Sequence, residues 1–320
     1  MEKLCLKPIF SSNDIGKDLI FINCTLGYNG NINLLFADKT YDYLKSLNVT
    51  HYMPVGKEAG KPIHRTLLKF CIIPIAPQNY RLVVLEENKV LELNKKNINY
   101  THALQIDDDK YCFICHSKSD SFKKFIKKNC EIYNCKGKIK RKLNLGDNIN
   151  DIQTNGKHEL WVSYSDSGVF FSSKLEEKGL NCFMPNGKIK YKYDDTNLYI
   201  HSCDGLNVYS DNELLVNIYN GNVESWFALS KITNKKPKKL LEWRLGSKYM
   251  AILDNKVLLQ YRTENDQNFV LVDIENYDKK GSFYEFFNEN NERLNCVHAQ
   301  KDNLYFWTNN NLYVFSMKQL

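Results

Sequence analysis

The chain has 320 residues, of which 43% are hydrophobic and 25% charged, a balance that excludes wholesale disorder. Lys and Arg total 44 against 37 Asp and Glu, a net charge of +7, and no apolar run reaches the length of a membrane span. Aromatics make up 13% and asparagines number 38, which suits strands joined by tight turns.

The chain opens MEKLCLKPIF, with one short apolar patch broken by Lys7 and Pro8 and no cleavable hydrophobic region. The expectation is a cytoplasmic monomer whose ten cysteines are free thiols, so the glycosylation-type triplets at Asn23, Asn48 and Asn99 have no consequence. Alternating strands follow: 18–23, 81–85, 159–164, 249–253 and 304–307. The pairs Asn29-Gly30, Asn155-Gly156, Asn186-Gly187, Asp204-Gly205 and Asn220-Gly221 tolerate positive φ and read as hairpin turns. Two stretches are helical in pattern: 40–47, and an insertion at 119–129 with Phe122, Phe125 and Ile126 on one face.

One phrase recurs along the chain, a loop with Asp or Asn followed by an alternating strand. It runs His102-Ala-Leu-Gln105 into Tyr111-Cys-Phe113, Asn150-Asp-Ile-Gln153 into Leu160-Trp-Val162, and His298-Ala-Gln300 into Leu304-Tyr-Phe306, with fainter copies near 202–216 and 245–253. The copies lie about 40 to 55 residues apart, the length of a four-stranded blade. The expectation is an all-β chain, one β-propeller domain over 1–320, with six blades and seven as the alternative.

The segment Gly146-Asp-Asn-Ile-Asn-Asp-Ile-Gln153 and its continuation Leu160-Trp-Val-Ser-Tyr-Ser-Asp-Ser-Gly-Val-Phe170 resembles an uncharacterised bacterial family of propeller-like proteins. That family follows the form G-D-G-I-x-D-V-Q, then I-W-V-S-Y-x-D-x-G-V-F; this chain departs from it at Asn148. A more distant similarity is to two-component-regulator propeller repeats. The resemblance covers 146–170 and implies a propeller, with no activity attached to it.

Three constellations are candidates for chemistry. Cys112-x2-Cys115-x14-Cys130-x4-Cys135 approaches a four-thiolate zinc spacing, and Cys112 to His116 also matches a haem-attachment pattern; with Cys112 and Cys115 on opposite faces of a strand, both compete with plain packing. Asp151, Asp166 and Asp204 fall where a propeller gathers carboxylates at its channel mouth, and also where turns use Asp. Trp226, Phe227, Trp243 and Arg244 flank Lys235 and Lys236, an aromatic and basic group suited to gripping a partner. His102, His201 and His298 precede the blade phrases and read as hydrogen-bonding ties between blades.

No G-x-S-x-G, H-E-x-x-H or phosphate-loop pattern occurs. The leading expectation is therefore a non-catalytic module, of the bacterial accessory or immunity type, binding a protein partner through one propeller face without a cofactor. The alternative is a channel-mouth enzyme or small-ligand receptor, lactonase- or sugar-hydrolase-like, using Asp and His. Nucleic acid is a third class suggested by the basic charge, although the lysines are spread along the chain, with knots at 123–128, 136–142 and 235–239 that also read as solvated surface.

Overall fold

A computed structural model of the protein describes residues 1–16, 18–38, 78–95, 98, 100–115, 128–171, 175–194, 198–221, 227–243, 246–263, 266–276 and 281–320. The two stretches expected to be helical, 40–47 and 119–129, lie wholly or mostly outside the described residues.

Two strands, β1 (Glu2–Cys5) and β2 (Pro8–Ser11), come first in sequence and are used last. Blade 1 is β3 to β6 (Leu19–Leu26, Ile32–Asp38, Gln78–Val84, Lys89–Lys95), and blade 2 is β7 to β10 (Tyr100–Asp107, Lys110–Cys115, Cys130–Tyr133, Ile139–Leu143). Blade 3 is β11 to β14 (Ile149–Thr154, Leu160–Tyr164, Leu180–Phe183, Ile189–Lys192), with a short helix α1 (Asp166–Phe171) after its second strand. Blade 4 is β15 to β18 (Ser202–Val208, Glu213–Tyr219, Phe227–Thr233, Lys236–Trp243). Blade 5 is β19 to β22 (Met250–Leu253, Lys256–Thr263, Asp266–Asp273, Ser282–Phe287). Blade 6 has β23 to β25 (Cys296–Gln300, Asn303–Thr308, Asn311–Ser316) and takes β2 as its fourth, outermost strand. The protein is a six-bladed β-propeller.

Closure is double. β2 pairs antiparallel with β25, and β1 adds a parallel fifth strand beyond β22, with Leu4 opposite Phe286. Leu6 is buried and Leu4 packs in the core shared by blades 5 and 6, while Phe10 packs with Leu312 and Phe36 at the junction of blades 6 and 1. Residues 2–11 thus hold three blades together.

Burial follows the layers. The inner strands are the most enclosed, as in β7, where only Thr101 and Asp107 are partly exposed. The outer strands are more exposed, as in β6, where Leu91 and Leu93 are buried and Lys89, Val90, Glu92 and Asn94 face out. The lysines concentrate there: Lys89 and Lys95 on β6, Lys140 and Lys142 with Arg141 on β10, Lys190 and Lys192 on β14, and Lys236, Lys238 and Lys239 on β18. Unpaired outer edges invite other strands, and Lys deters that pairing. β22, which has no lysine, is the edge that β1 covers. Most of two sequence knots, 136–142 and 235–239, thereby gains a structural assignment.

Inner strands share a second device. A register shift falls between Phe21 and Asn23, Tyr100 and His102, Ile149 and Asp151, Cys203 and Gly205, and Cys296 and His298, so a bulge recurs at the same level in five blades. Asp204-Gly205, expected as a hairpin turn, is one of these bulges. A Cβ on Gly205 would lie 2.4 Å from the Ser247 carbonyl, so the glycine permits blades 4 and 5 to meet. Asn29-Gly30, Asn155-Gly156 and Asn186-Gly187 do lie between paired strands, as expected.

Deleting residues 1–11 exposes the edges of β22 and β25 and removes the burial of Leu4, Leu6 and Phe10, each contributing about 1.5–3 kcal/mol when complete. The expected result is a loss of at least about 3 kcal/mol in urea unfolding, together with concentration-dependent self-association in size-exclusion chromatography.

Candidate functional site

The six inner strands surround the axis, and the face where they begin is called upper. Blades 3 and 6 stand opposite each other in a six-membered ring, yet their inner strands are hydrogen-bonded together. Gln153 Nε2 donates to Leu206 O of blade 4 at 2.7 Å and to Ala299 O of blade 6 at 3.0 Å. Gln300 Nε2 returns to Thr154 O of blade 3 at 3.0 Å and Val208 O of blade 4 at 3.1 Å. Asn207 Nδ2 donates to Met250 O of blade 5 and Lys301 O of blade 6, and its Oδ1 accepts from Lys301 N–H. Gln153 Oε1 accepts from Val208 N–H. All three amides are at most 1% exposed. At this level the axis is filled by side chains, and the channel is blind. Sequence reading did not assign these residues, although Gln153 and Gln300 stand in the recurring phrases.

Just above the plug, on the bulge side, lie Asn23, His102, Asp151 and His298 at equivalent positions of blades 1, 2, 3 and 6. Asp151 accepts from Ile152 N–H at 2.8 Å and from Gln153 Nε2 at 3.0 Å. Its carboxyl keeps some solvent exposure but is walled in by neighbouring blades, which pushes its pKa up to about 6 against the opposing pull of the Lys248 ammonium. Burial drives His298 down to about 4, partly offset by its bond to Gln300. The expected histidine ties between blades are local at His298: its partner Gln300 lies two residues along its own strand and makes the inter-blade bonds. His158, not singled out from sequence, does tie blades, through Ile106 O at 2.8 Å.

The other predicted residues divide as follows. Asp204 joins Asp151 near the axis, bonded to Ser202 Oγ, and both carboxylates lie close enough to Cys203 to raise its thiol further after burial has done so. Asp166 is elsewhere, in the first turn of α1, accepting from Ser167 N–H. Burial also raises the Cys24 and Cys296 thiols, which pack in the cores between blades 6 and 1 and between blades 5 and 6, so these carry little thiolate.

The four candidate zinc thiols do not share one site. Cys112 and Cys130 meet in the core between blades 2 and 3 with sulfurs 3.0 Å apart. Cys115 faces the core between blades 1 and 2 and donates to Asn129 O. Cys135 is exposed in the turn after β9, where its N–H donates to Asp109. Among the described residues no three His, Cys, Asp or Glu side chains converge as metal ligands.

The aromatic and basic group is also divided. Phe227 and Trp243 pair at the upper end of the β17–β18 hairpin, whereas Lys235 and Lys236 lie at its lower turn, about 20 Å away along the strands. Trp226 and Arg244 lie outside the described residues. A different aromatic series occupies the upper face at blades 3 and 4. Phe170 of α1 meets His201 with ring centroids 5.0 Å apart, His201 meets Tyr199 at 5.5 Å and Tyr219 at 5.9 Å, and Tyr219 meets Phe227 at 5.4 Å. Phe170 is 51% exposed and Tyr199 57%.

A raised carboxyl pKa means that Asp151 favours the fold while protonated. That contribution is whole below pH ~4 and is lost as pH rises through about 6. His298 has the opposite sign: its contribution is whole above pH ~6.5 and is lost as pH falls through about 4. Asp151→Asn is therefore expected to be more stable than wild type at pH 8 by about 1–3 kcal/mol, with the gap closing by pH 4. Urea unfolding at the two pH values checks this, and a gap independent of pH contradicts it.

No family model matches the chain, and no curated protein does. Among solved structures it is similar to regucalcin of Agrobacterium tumefaciens, described as a calcium-binding protein, with a TM-score of 0.50 and 8% identity over 98% of this chain and 95% of that one. It is also similar to TolB from Acinetobacter baumannii, with a TM-score of 0.45 and 10% identity over 83% of this chain and 56% of that one. For the Pyrococcus horikoshii acylaminoacyl peptidase the TM-score is 0.49 and the identity 10%, over 96% of this chain and 46% of that one, so this chain spans less than half of the peptidase's length. These likenesses are of fold.

Proposed function

We propose that the protein is a non-catalytic interaction module that engages a partner protein through its upper face at blades 3 and 4. The observation that carries this reading is the exposed aromatic series led by Phe170 and Tyr199. Large apolar side chains left in water beside half-buried rings form the kind of centre on which partner proteins anchor. Phe170 is the last residue of the segment that resembles the propeller-like family, and its exposure is unexplained by core packing. A further observation favours a surface over a channel: the amide plug closes the axis.

A second reading, a small-ligand receptor, is favoured by one observation, the enclosed Asp151 carboxyl with Lys248 in electrostatic reach above a closed floor. A carboxyl so placed suits a small polar molecule with a donor or cationic group.

Affinity capture from the native host with the full chain discriminates the two. A stoichiometric protein partner is expected, with Phe170→Asp and Tyr199→Asp each lowering its recovery at least about tenfold. Lys235→Glu on the opposite face and Asp151→Asn at the axis are expected to leave recovery unchanged. Equal recovery with all four variants, or no stoichiometric partner, overturns the interaction reading. Loss with Asp151→Asn alone moves the site to the axis.

A further inference from the structure

The cysteine motif at 112–135 holds no four-thiolate site, yet it brings two sulfurs together with unusual closeness. Cys112 on β8 and Cys130 on β9 belong to adjacent antiparallel strands, where Cys112 stands opposite Ile132 and Cys130 opposite Ile114. Both side chains therefore project from the same sheet face, on one diagonal, into the core between blades 2 and 3. Both are fully buried, and their sulfurs lie 3.0 Å apart, about 1 Å beyond the bonded distance of about 2.05 Å. Cys115 projects from the other face and donates to Asn129 O, so it does not compete for either sulfur.

We propose that Cys112 and Cys130 are a disulfide-forming pair, a covalent modification site that staples β8 to β9 across the connection 116–127. The two thiols lose two protons and two electrons as the S–S bond forms. A small disulfide such as oxidised glutathione accepts the electrons by exchange through a mixed disulfide and leaves as two thiols. Burial suppresses the thiolate of Cys130, and exchange requires thiolate, so the folded protein reacts slowly. The bond forms readily while the chain is folding and the sulfurs are still reachable. Once formed, it is shielded from reductant by the same burial.

The test is to refold the full chain from urea in a glutathione redox buffer, block free thiols under denaturing conditions and map the peptides. The expected product has two fewer free thiols than the reduced chain and one dominant link, Cys112 to Cys130. Cys112→Ser and Cys130→Ser each abolish that species, while Cys115→Ser retains it. For variants that do not refold, native wild-type protein treated with diamide, an azo oxidant that is reduced to a hydrazine, gives a second readout. The same link then appears, at least about tenfold faster when low urea opens the core. Links dominated by other cysteines, or two thiols that stay free under both treatments, overturn the proposal.

Discussion

Primary amides bonded to backbone carbonyls across the axis are the interaction on which the rest of the architecture depends. Six wedge-shaped sheets meeting at a point leave the inner strand of each with unpaired backbone groups, and a buried unpaired group costs about 1–3 kcal/mol. Gln153, Asn207 and Gln300 meet that demand for blades 3 to 6, each amide reaching two carbonyls. Blades 1 and 2 do the same on a smaller scale, with Thr25 Oγ1 donating to Ala103 O and Asn23 Nδ2 to Thr101 O. Because the amides span the ring instead of lining it, the polar groups that close the axis also seal it. On the proposed reading, function falls to the faces of the ring.

Much of this fold was legible in the sequence because its signals are local. Alternation in 81–85 or 159–164, Asn-Gly turns and a phrase returning at blade spacing all depend on neighbours a few residues apart. The roles of the phrase residues were not legible, because their partners are distant: Gln153 bonds to residues 53 and 146 positions away. A glutamine recurring in a strand that is otherwise apolar was the available signal. Asp204-Gly205 shows the converse error, since a dipeptide that favours positive φ in a turn serves equally where two backbones crowd together.

The candidate sites illustrate the same limit. Cys112 and Cys115 could be placed on opposite faces from strand periodicity alone, and they lie there. That Cys130 would return to Cys112 required the register of β8 against β9, which spacing does not reveal. Phe227 and Lys235 looked adjacent in a basic, aromatic stretch, yet a hairpin carries its two ends to opposite faces. Phe170 and Tyr199, 29 positions apart, share one histidine as a neighbour only because helix α1 and the entry to β15 fall on the same face.

The double closure has a consequence for synthesis. β1 and β2 leave the ribosome before the strands they pair with, since β22 and β25 are not complete until residues 287 and 316 have been made. At about 5–20 residues per second, residues 2–11 wait roughly 15 to 60 s for a place to pair. Four blades can assemble in sequence during that interval from strands already present. The ring itself is sealed only once β25 is made, by a segment synthesised about 300 residues earlier. Until residues 287 and 316 are made, β1 and β2 therefore stay without the strands they pair with in the closed ring.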